Sequence, residues 1–117
     1  MKKKNSRLIC VSSIFQLLVA HASLKHQKNK KLNDIIVLTT ANLHKDNLLK
    51  FKNVTKKLGY NNIVDFSNIV KNLNINNVEK AQKIIKNKFL KITINEILIR
   101  YKFNLFEHTL FCSFNKA

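Results

Sequence analysis

Glycine, proline and tryptophan are almost missing from this 117-residue sequence, which has one glycine, no proline and no tryptophan. A single glycine cannot supply the G-x-G-x-x-G turn or the Walker loop, so classical dinucleotide binding and P-loop hydrolysis are excluded at the level of motifs. The G-x-S-x-G elbow of the serine hydrolases is excluded for the same reason. A ligand site in this chain must therefore be built without glycine-dependent turns.

Cysteines, histidines and acidic residues are too sparse to form a local reactive set. Cys10 and Cys112 lie at opposite ends of the sequence without C-x-x-C spacing, and the four histidines include no His-x-x-x-His pair. The six acidic residues are so spread that no two lie within ten positions. We therefore predict no metal site, no cofactor and no catalytic residue from the sequence. The two distant cysteines indicate either a reducing compartment or a count too small to be informative.

Positive charge dominates what remains, with 22 Lys and Arg against 6 Asp and Glu and a formal net charge of +16. Such a surface attracts acidic partners. However, Arg7 and Arg100 are the only arginines, and the lysines are mixed with asparagine and isoleucine, as an AT-rich genome produces on any solvated surface. Because nucleic-acid readers favour arginine forks, the charge alone does not indicate nucleic acid.

The chain is long and apolar enough for one folded domain, since 45% of its residues are hydrophobic. Its start imitates a secretory signal peptide, with lysines at positions 2–4 followed by an apolar run at 8–20. Polar residues interrupt that run, and it is shorter than the ~20 apolar residues of a membrane span. We expect a cytoplasmic protein, free or peripheral to the inner face of the membrane; export with a start at Ser23 is the alternative.

Hydrophobic periodicity and the positions of turn and capping residues predict four strands, at residues 7–11, 34–40, 62–66 and 108–114. They predict helices at 14–26, 42–58 and 78–103, with polar connections at 27–33 and 67–77. Ser13 and Gln16 have the S-x-x-Q form of a capping box, and Gly59 is expected as a left-handed helix cap. The first helix has apolar residues on more than one side, so we expect it to be covered on most sides.

Alternating strands and helices, β-α-β-α-β-α-β, predict an α/β fold with a Rossmann-like parallel sheet. The common strand order 3-2-1-4 places the fourth strand beside the first, which would make Cys10 and Cys112 neighbouring core thiols. Because the chain stops at the fourth predicted strand, we expect an apolar sheet edge and a face without a covering helix. The sequence is thus interpreted as the front of a longer protein.

The candidate ligand site is the turn after the first strand. Ligands of open parallel sheets bind beyond the carboxyl ends of the strands, where Ser12, Ser13 and Gln16 are expected together with free helix amides. We predict these three residues to bind substrate. The alternative is that they only cap the helix, and the two roles are compatible.

Residues 8–20, LICVSSIFQLLVA, and their spacing to DIIVL at 34–38 resemble the amino-terminal end of bacterial sialyltransferases of the capsule and lipooligosaccharide type, especially the α-2,8-polysialyltransferase group. The resemblance is close over residues 7–20 and elsewhere covers only the order of strands and helices. It implies a metal-independent, inverting, two-domain glycosyltransferase of the B-type fold. Such an enzyme transfers sialic acid from CMP-sialic acid to a cell-surface glycan.

The chain departs from the motifs of that family, which places an acidic base in an Asp/Glu-Asp/Glu-Gly motif and binds the nucleotide through His-Pro in a second domain. This sequence has no proline, and its Gly59 follows Lys57 and Leu58. The resemblance therefore implies a partial N-terminal domain at 1–117, acceptor-side and inactive alone, without the nucleotide-sugar domain. CMP-sialic acid and an acidic glycan acceptor would be the partners of the full-length form. The alternative is a nonenzymatic basic module for nucleic acid or anionic membrane.

Overall fold

The computed structural model describes residues 4–25, 33–40, 45–99 and 105–114. These residues contain four strands, which are β1 (Lys4–Val11), β2 (Asn33–Leu38), β3 (Asn62–Asp65) and β4 (Ile92–Ile99). They also contain five α-helices, which are α1 (Ile14–Lys25), α2 (Lys45–Lys57), α3 (Ser67–Asn72), α4 (Val78–Lys88) and α5 (Leu105–Phe114), and a 3-10 turn at Ile75–Asn77. All strand pairs are parallel, in the order β3-β2-β1-β4. The predicted α/β class and parallel sheet are confirmed, and the order has the expected form 3-2-1-4, but its fourth strand is residues 92–99 and not the predicted 108–114.

The sheet is covered on both faces, so the molecule has three layers. One face packs under α1 and α2 through a cluster that includes Ile9, Leu17 and Phe51. The other face packs under α3, α4 and α5 through a cluster that includes Leu8 and Phe106. Because both faces of β1 and β2 are buried, their apolar residues are continuous rather than alternating, as the sequence indicated.

The cap of α2 shows why the only glycine of the chain is where it is. Gly59 has a φ of +98°, a conformation that residues with a Cβ rarely adopt. Its N–H donates to the carbonyl of Lys56 at 3.0 Å, and the N–H of Tyr60 donates to the carbonyl of Thr55 at 3.2 Å. These are the two hydrogen bonds of a Schellman motif, so the predicted helix cap is confirmed.

The prediction was wrong for the last third of the chain. The expected helix at 78–103 ends at Lys88, and residues 92–99 form β4. The apolar residues of 92–99 fit a helical stripe as well as a strand alternation, and no glycine or proline separates them from α4. Their β-branched character favours the strand. The expected polar connection at 67–77 contains α3 and the 3-10 turn.

The expected strand at 108–114 is also wrong, because these residues belong to α5. Phe106 and Leu110 of α5 are buried on the face that was expected to lack a covering helix. Cys10 is buried in β1, whereas Cys112 is exposed on α5 with its Sγ 3.3 Å from Nδ1 of His108. The two cysteines are therefore not a pair of core thiols.

Helix α1 differs from the expectation that it is covered on most sides. Leu17 and Ala20 are buried, but Phe15, Leu18 and Val19 are exposed.

The apolar run at 8–20 is divided between β1 and α1 by the turn between them. No helix of the described residues is long and apolar enough to cross a membrane. Residues 27–32 of the predicted basic loop lie outside the described part of the chain.

Candidate functional site

The order of the strands locates the place where a sheet of this kind binds ligands. The chain moves from β1 through β2 to β3, and then returns past β1 to add β4 on its other side. In open parallel sheets the ligand crevice opens at this reversal, beyond the carboxyl ends of the strands. In this protein the reversal lies between β1 and β4, and the elements that begin there are α1 and α5.

The turn from β1 into α1 brings the three predicted site residues together. The N–H of Gln16 donates to Oγ of Ser13 at 3.2 Å. Oε1 of Gln16 accepts from the backbone N–H of Ser12 at 2.8 Å and from its hydroxyl at 2.9 Å. The predicted cap is confirmed, and the glutamine reaches one residue further back than in the standard capping box.

The capping role leaves part of this turn available to a ligand. Ser12, Ser13 and Gln16 are half-buried, so none of them is sealed in the core. Within the described residues, Nε2 of Gln16 has no hydrogen-bond partner. The first turn of a helix also has backbone N–H groups that its own carbonyls cannot satisfy. The turn can thus donate several hydrogen bonds to one oxygen-rich group, and binding by these residues stays a prediction.

Thr39, the residue after β2, closes one side of the carboxyl edge. Its N–H donates to the carbonyl of Val11 at 3.0 Å, and its hydroxyl lies 3.4 Å from the same oxygen. The boundary between β2 and β3 is closed in the same way, because the N–H of Phe66, the residue after β3, donates to the carbonyl of Leu38 at 3.1 Å. These bonds extend the contacts of β2 with both neighbours, so the β1–β4 side is where a ligand is expected at this edge.

Glu107 is the titratable residue that the sequence reasoning missed at this edge. It lies in the first turn of α5, and its side chain is 2% exposed. Burial raises its pKa to about 7 from a usual 4.5. Burial, together with the nearby Glu107 carboxylate, raises the pKa of the Cys10 thiol. Glu107 is therefore close to the end of β1 and can gain or lose a proton near neutral pH.

The signal for Glu107 was an acidic residue inside the apolar segment LFEHTLFCSF, residues 105–114. The sequence reasoning split this segment and assigned residues 108–114 to a strand, which removed Glu107 from any structural element. A helix assignment places Glu107 next to the buried Phe106 and three positions before the buried Leu110. Its burial on the core side of α5 then follows.

A second polar cluster lies on the face under α1 and α2. Arg7 of β1 donates through Nε to Oδ1 of Asp34 at 2.8 Å and through Nη2 to Oδ2 at 3.1 Å. Its Nη1 is 4.0 Å from Oε1 of Glu96, the residue opposite Arg7 on β4. Because Asp34 is opposite Arg7 on β2, this guanidinium connects three strands in one register.

Tyr60 joins that cluster from the turn after α2. Its hydroxyl is 2.9 Å from Nδ1 of His21 on α1, and the two rings meet edge to face at a centroid distance of 5.5 Å. Burial raises the pKa of Tyr60, and the Asp34 carboxylate adds to this shift. The cluster ties α1, α2 and the sheet together, and we interpret it as structural.

Two clefts lie away from the carboxyl edge. One, of about 250 Å³, lies between α3 and α4 with Leu73 and Lys80 among its lining residues. The other, of about 420 Å³, lies at the amino ends of β2 and β3 and includes Asn62 and Phe89. Neither is lined by residues of the β1–α1 turn, so they are separate from the predicted site.

Comparisons of the chain with protein-family models, with curated proteins and with solved structures gave no significant match.

Proposed function

We propose that this chain is the acceptor-side Rossmann-like domain of a sialyltransferase-like glycosyltransferase, with an acidic glycan bound at the carboxyl edge between β1 and β4. In its full-length form the enzyme transfers sialic acid from CMP-sialic acid to a cell-surface glycan. The observation that supports the proposal most is the strand order β3-β2-β1-β4, with the Ser12–Gln16 turn next to the reversal. The resemblance of residues 8–20 to bacterial sialyltransferases supports the substrate class.

The polar groups of the turn suit a sugar with hydroxyl and carboxylate oxygens. Nε2 of Gln16 and the backbone N–H groups at the start of α1 before Gln16 are donors, and the Ser12 hydroxyl, which donates its proton to Gln16, can still accept. The amino end of α1 favours negative charge through the helix dipole. A neutral sugar would use the hydrogen bonds alone, so this turn is expected to prefer an acidic sugar.

Glu107 makes the proposed binding depend on pH. An anionic sugar next to this carboxyl is repelled when Glu107 is ionised and accepted when it is protonated. Since the pKa of Glu107 is about 7, binding is expected to strengthen as the pH falls through 7. The net charge of +16 adds a long-range attraction for the same ligand.

The proposal is tested by titrating the ¹⁵N-labelled protein with an α-2,8-linked sialic acid oligomer while recording its amide spectrum. We expect shifts at Ser12, Ser13 and Gln16, and a loss of affinity of about tenfold in Gln16→Ala, as for one lost hydrogen bond to a charged group. Ser23→Ala, near the other end of α1, is the matched control and should bind like the parent.

Two results would contradict the proposal. One is an absence of shifts at the turn at any ligand concentration. The other is equal binding of the sialic acid oligomer, heparin and DNA that disappears with modest salt, which would favour the nonenzymatic basic module because counterion release gives such binding a steep salt dependence.

A further inference from the structure

The outward surface of α1 and α2 combines apolar and basic side chains in a pattern that the buried core does not explain. On α1 the exposed apolar residues are spaced by three and four positions, at Phe15, Leu18, Val19 and Ala22. Phe15 is 74% exposed. On a helix this spacing gives one continuous stripe. An exposed apolar stripe of this kind marks an interaction surface.

Helix α2 packs beside α1 on the same side of the sheet and presents a basic stripe. Lys45, Leu49, Lys52 and Lys56 follow helical spacing on its outward side, and Leu49 is 61% exposed. The whole of α2 contains five lysines and one acidic residue, Asp46. Helix α1 contains no acidic residue. We call the exposed apolar residues of α1 and the outward residues of α2 the α1–α2 outer face.

We propose that the α1–α2 outer face docks on a membrane that contains anionic lipids, with Phe15 and Leu18 entering the interface and the α2 lysines contacting lipid headgroups. Apolar side chains next to lysines are the composition of surfaces that lie in the plane of a membrane interface. This inference goes beyond the proposed function and does not depend on it. Docking would hold the β1–α1 turn, which precedes Phe15, near the lipid headgroups.

Charge argues for lipid against two other occupants. A second copy of the chain bound through the same face would bring two net-positive surfaces together, and like charges oppose such contact. A nucleic acid would neutralise the lysines but would leave Phe15 and Leu18 against phosphate groups, without apolar cover. An anionic membrane satisfies both kinds of side chain at once.

The lack of tryptophan provides a direct test, because Phe15→Trp introduces the single indole of the chain. With vesicles of equal parts phosphatidylcholine and phosphatidylglycerol, we expect a blue shift of its emission and quenching by lipids brominated on the acyl chain. Ile75→Trp is the matched control, because Ile75 is 83% exposed and lies between α3 and α4 on the other side of the sheet. It should show neither effect.

Flotation with the same vesicles separates the apolar and the basic contributions. Phe15→Ser with Leu18→Ser should lower the partition coefficient at least ~tenfold, whereas Ile75→Ser with Leu90→Ser should leave it unchanged. Lys45→Gln with Lys56→Gln should weaken binding more than Lys83→Gln with Lys86→Gln on α4, although both pairs remove the same charge. All these side chains are exposed, and circular dichroism checks that each variant is folded.

The proposal is overturned by equal losses in the two serine pairs or in the two glutamine pairs, since diffuse attraction would then account for binding. Equally strong binding to vesicles of phosphatidylcholine alone also overturns it. So does a dimer in sedimentation equilibrium that the Phe15→Ser and Leu18→Ser pair abolishes, because a second copy would then occupy the face. Binding of DNA fragments that displaces the protein from vesicles would assign the basic stripe to nucleic acid.

Discussion

The face of the sheet under α1 and α2 contains an ion pair, a tyrosine–histidine contact and a buried threonine, whereas the opposite face is packed by phenylalanines. Phe66 contacts Phe106 and Phe89 at centroid distances of 5.2 and 6.0 Å, and Phe89 contacts Phe114 at 5.8 Å. Glu107 is the buried acid on this aromatic face. One face thus combines apolar packing with polar cross-links, and the other is packed by aromatic rings around one buried carboxyl group.

The largest expected effect tests the aromatic face. Phe106→Ala removes a buried ring that contacts Phe66, and such a truncation costs about 3–5 kcal/mol of unfolding free energy. Phe111→Ala on the same helix removes a more exposed ring and should cost about 1 kcal/mol. Urea unfolding of both variants measures the difference. Equal losses would mean that α5 does not depend on its inward ring.

A slightly smaller effect tests the polar face. Asp34→Ala leaves the Arg7 guanidinium, 5% exposed, without its bidentate partner and should cost about 3 kcal/mol. Replacing both partners, Arg7→Met with Asp34→Leu, should recover most of that loss, because apolar residues of similar volume need no desolvation of charge. Urea unfolding of the single and double variants completes the cycle. A double variant as unstable as Asp34→Ala would show that the pair contributes more than packing.

The next effect in size is a pH dependence of stability that comes from the aromatic face, because Glu107 is buried there. The pKa of Glu107 is about 7 in the folded protein against a usual 4.5, so the folded state holds a proton that the unfolded state loses between these values. Its contribution to stability is complete below pH 4.5 and is lost as the pH rises to 7. Glu107→Gln cannot ionise, so it should match the parent at pH 4.5 and exceed it at pH 8 by on the order of 1–3 kcal/mol.

Thermal unfolding of the parent and of Glu107→Gln at the two pH values measures this difference. Other groups that titrate are common to both proteins and cancel in the comparison. A constant offset between the two proteins at both pH values would mean that Glu107 does not change its protonation on unfolding.

The smallest effect concerns the cap of α2. Gly59→Ala should cost about 1 kcal/mol because of the φ of +98°, and not because of crowding, since an added Cβ would meet no atom within 4 Å. Lys57→Ala on the same helix, with ordinary helical backbone, should change stability by less than about 0.5 kcal/mol. Chemical unfolding measures both changes. If Gly59→Ala were neutral, the Schellman hydrogen bonds would have to survive in another backbone conformation.

The sequence predicted secondary structure most reliably where hydrophobic periodicity, composition and the turn or capping residues agreed. The continuous apolar strands β1 and β2, the capped start of α1 and the Gly59 cap of α2 all have local causes, and the structure confirms them. In residues 78–114 these signals conflicted, because isoleucines suit both a helical stripe and a strand, and no glycine or proline marks the boundary. The prediction therefore assigned a helix to the residues of β4 and a strand to residues of α5.

The candidate site was predictable only in part for a similar reason. Ser12, Ser13 and Gln16 are neighbours in sequence, so a local motif places them together. Glu107 approaches the end of β1 from nearly a hundred residues away, and no local pattern records that contact. Cys112 was assigned to the core because its segment was assigned to a strand.

By itself the sequence determined that the chain forms a layered α/β domain without glycine-dependent phosphate loops, since hydrophobic period and residue count act locally and do not need the rest of the fold. Only the tertiary structure decided which titratable groups are buried and which apolar residues are exposed. Burial depends on what packs on top of a side chain, and for Glu107, Arg7 and Phe15 that is set by elements distant in sequence. The strand order that locates the proposed site and the apolar stripe beside lysines both depend on such long-range contacts.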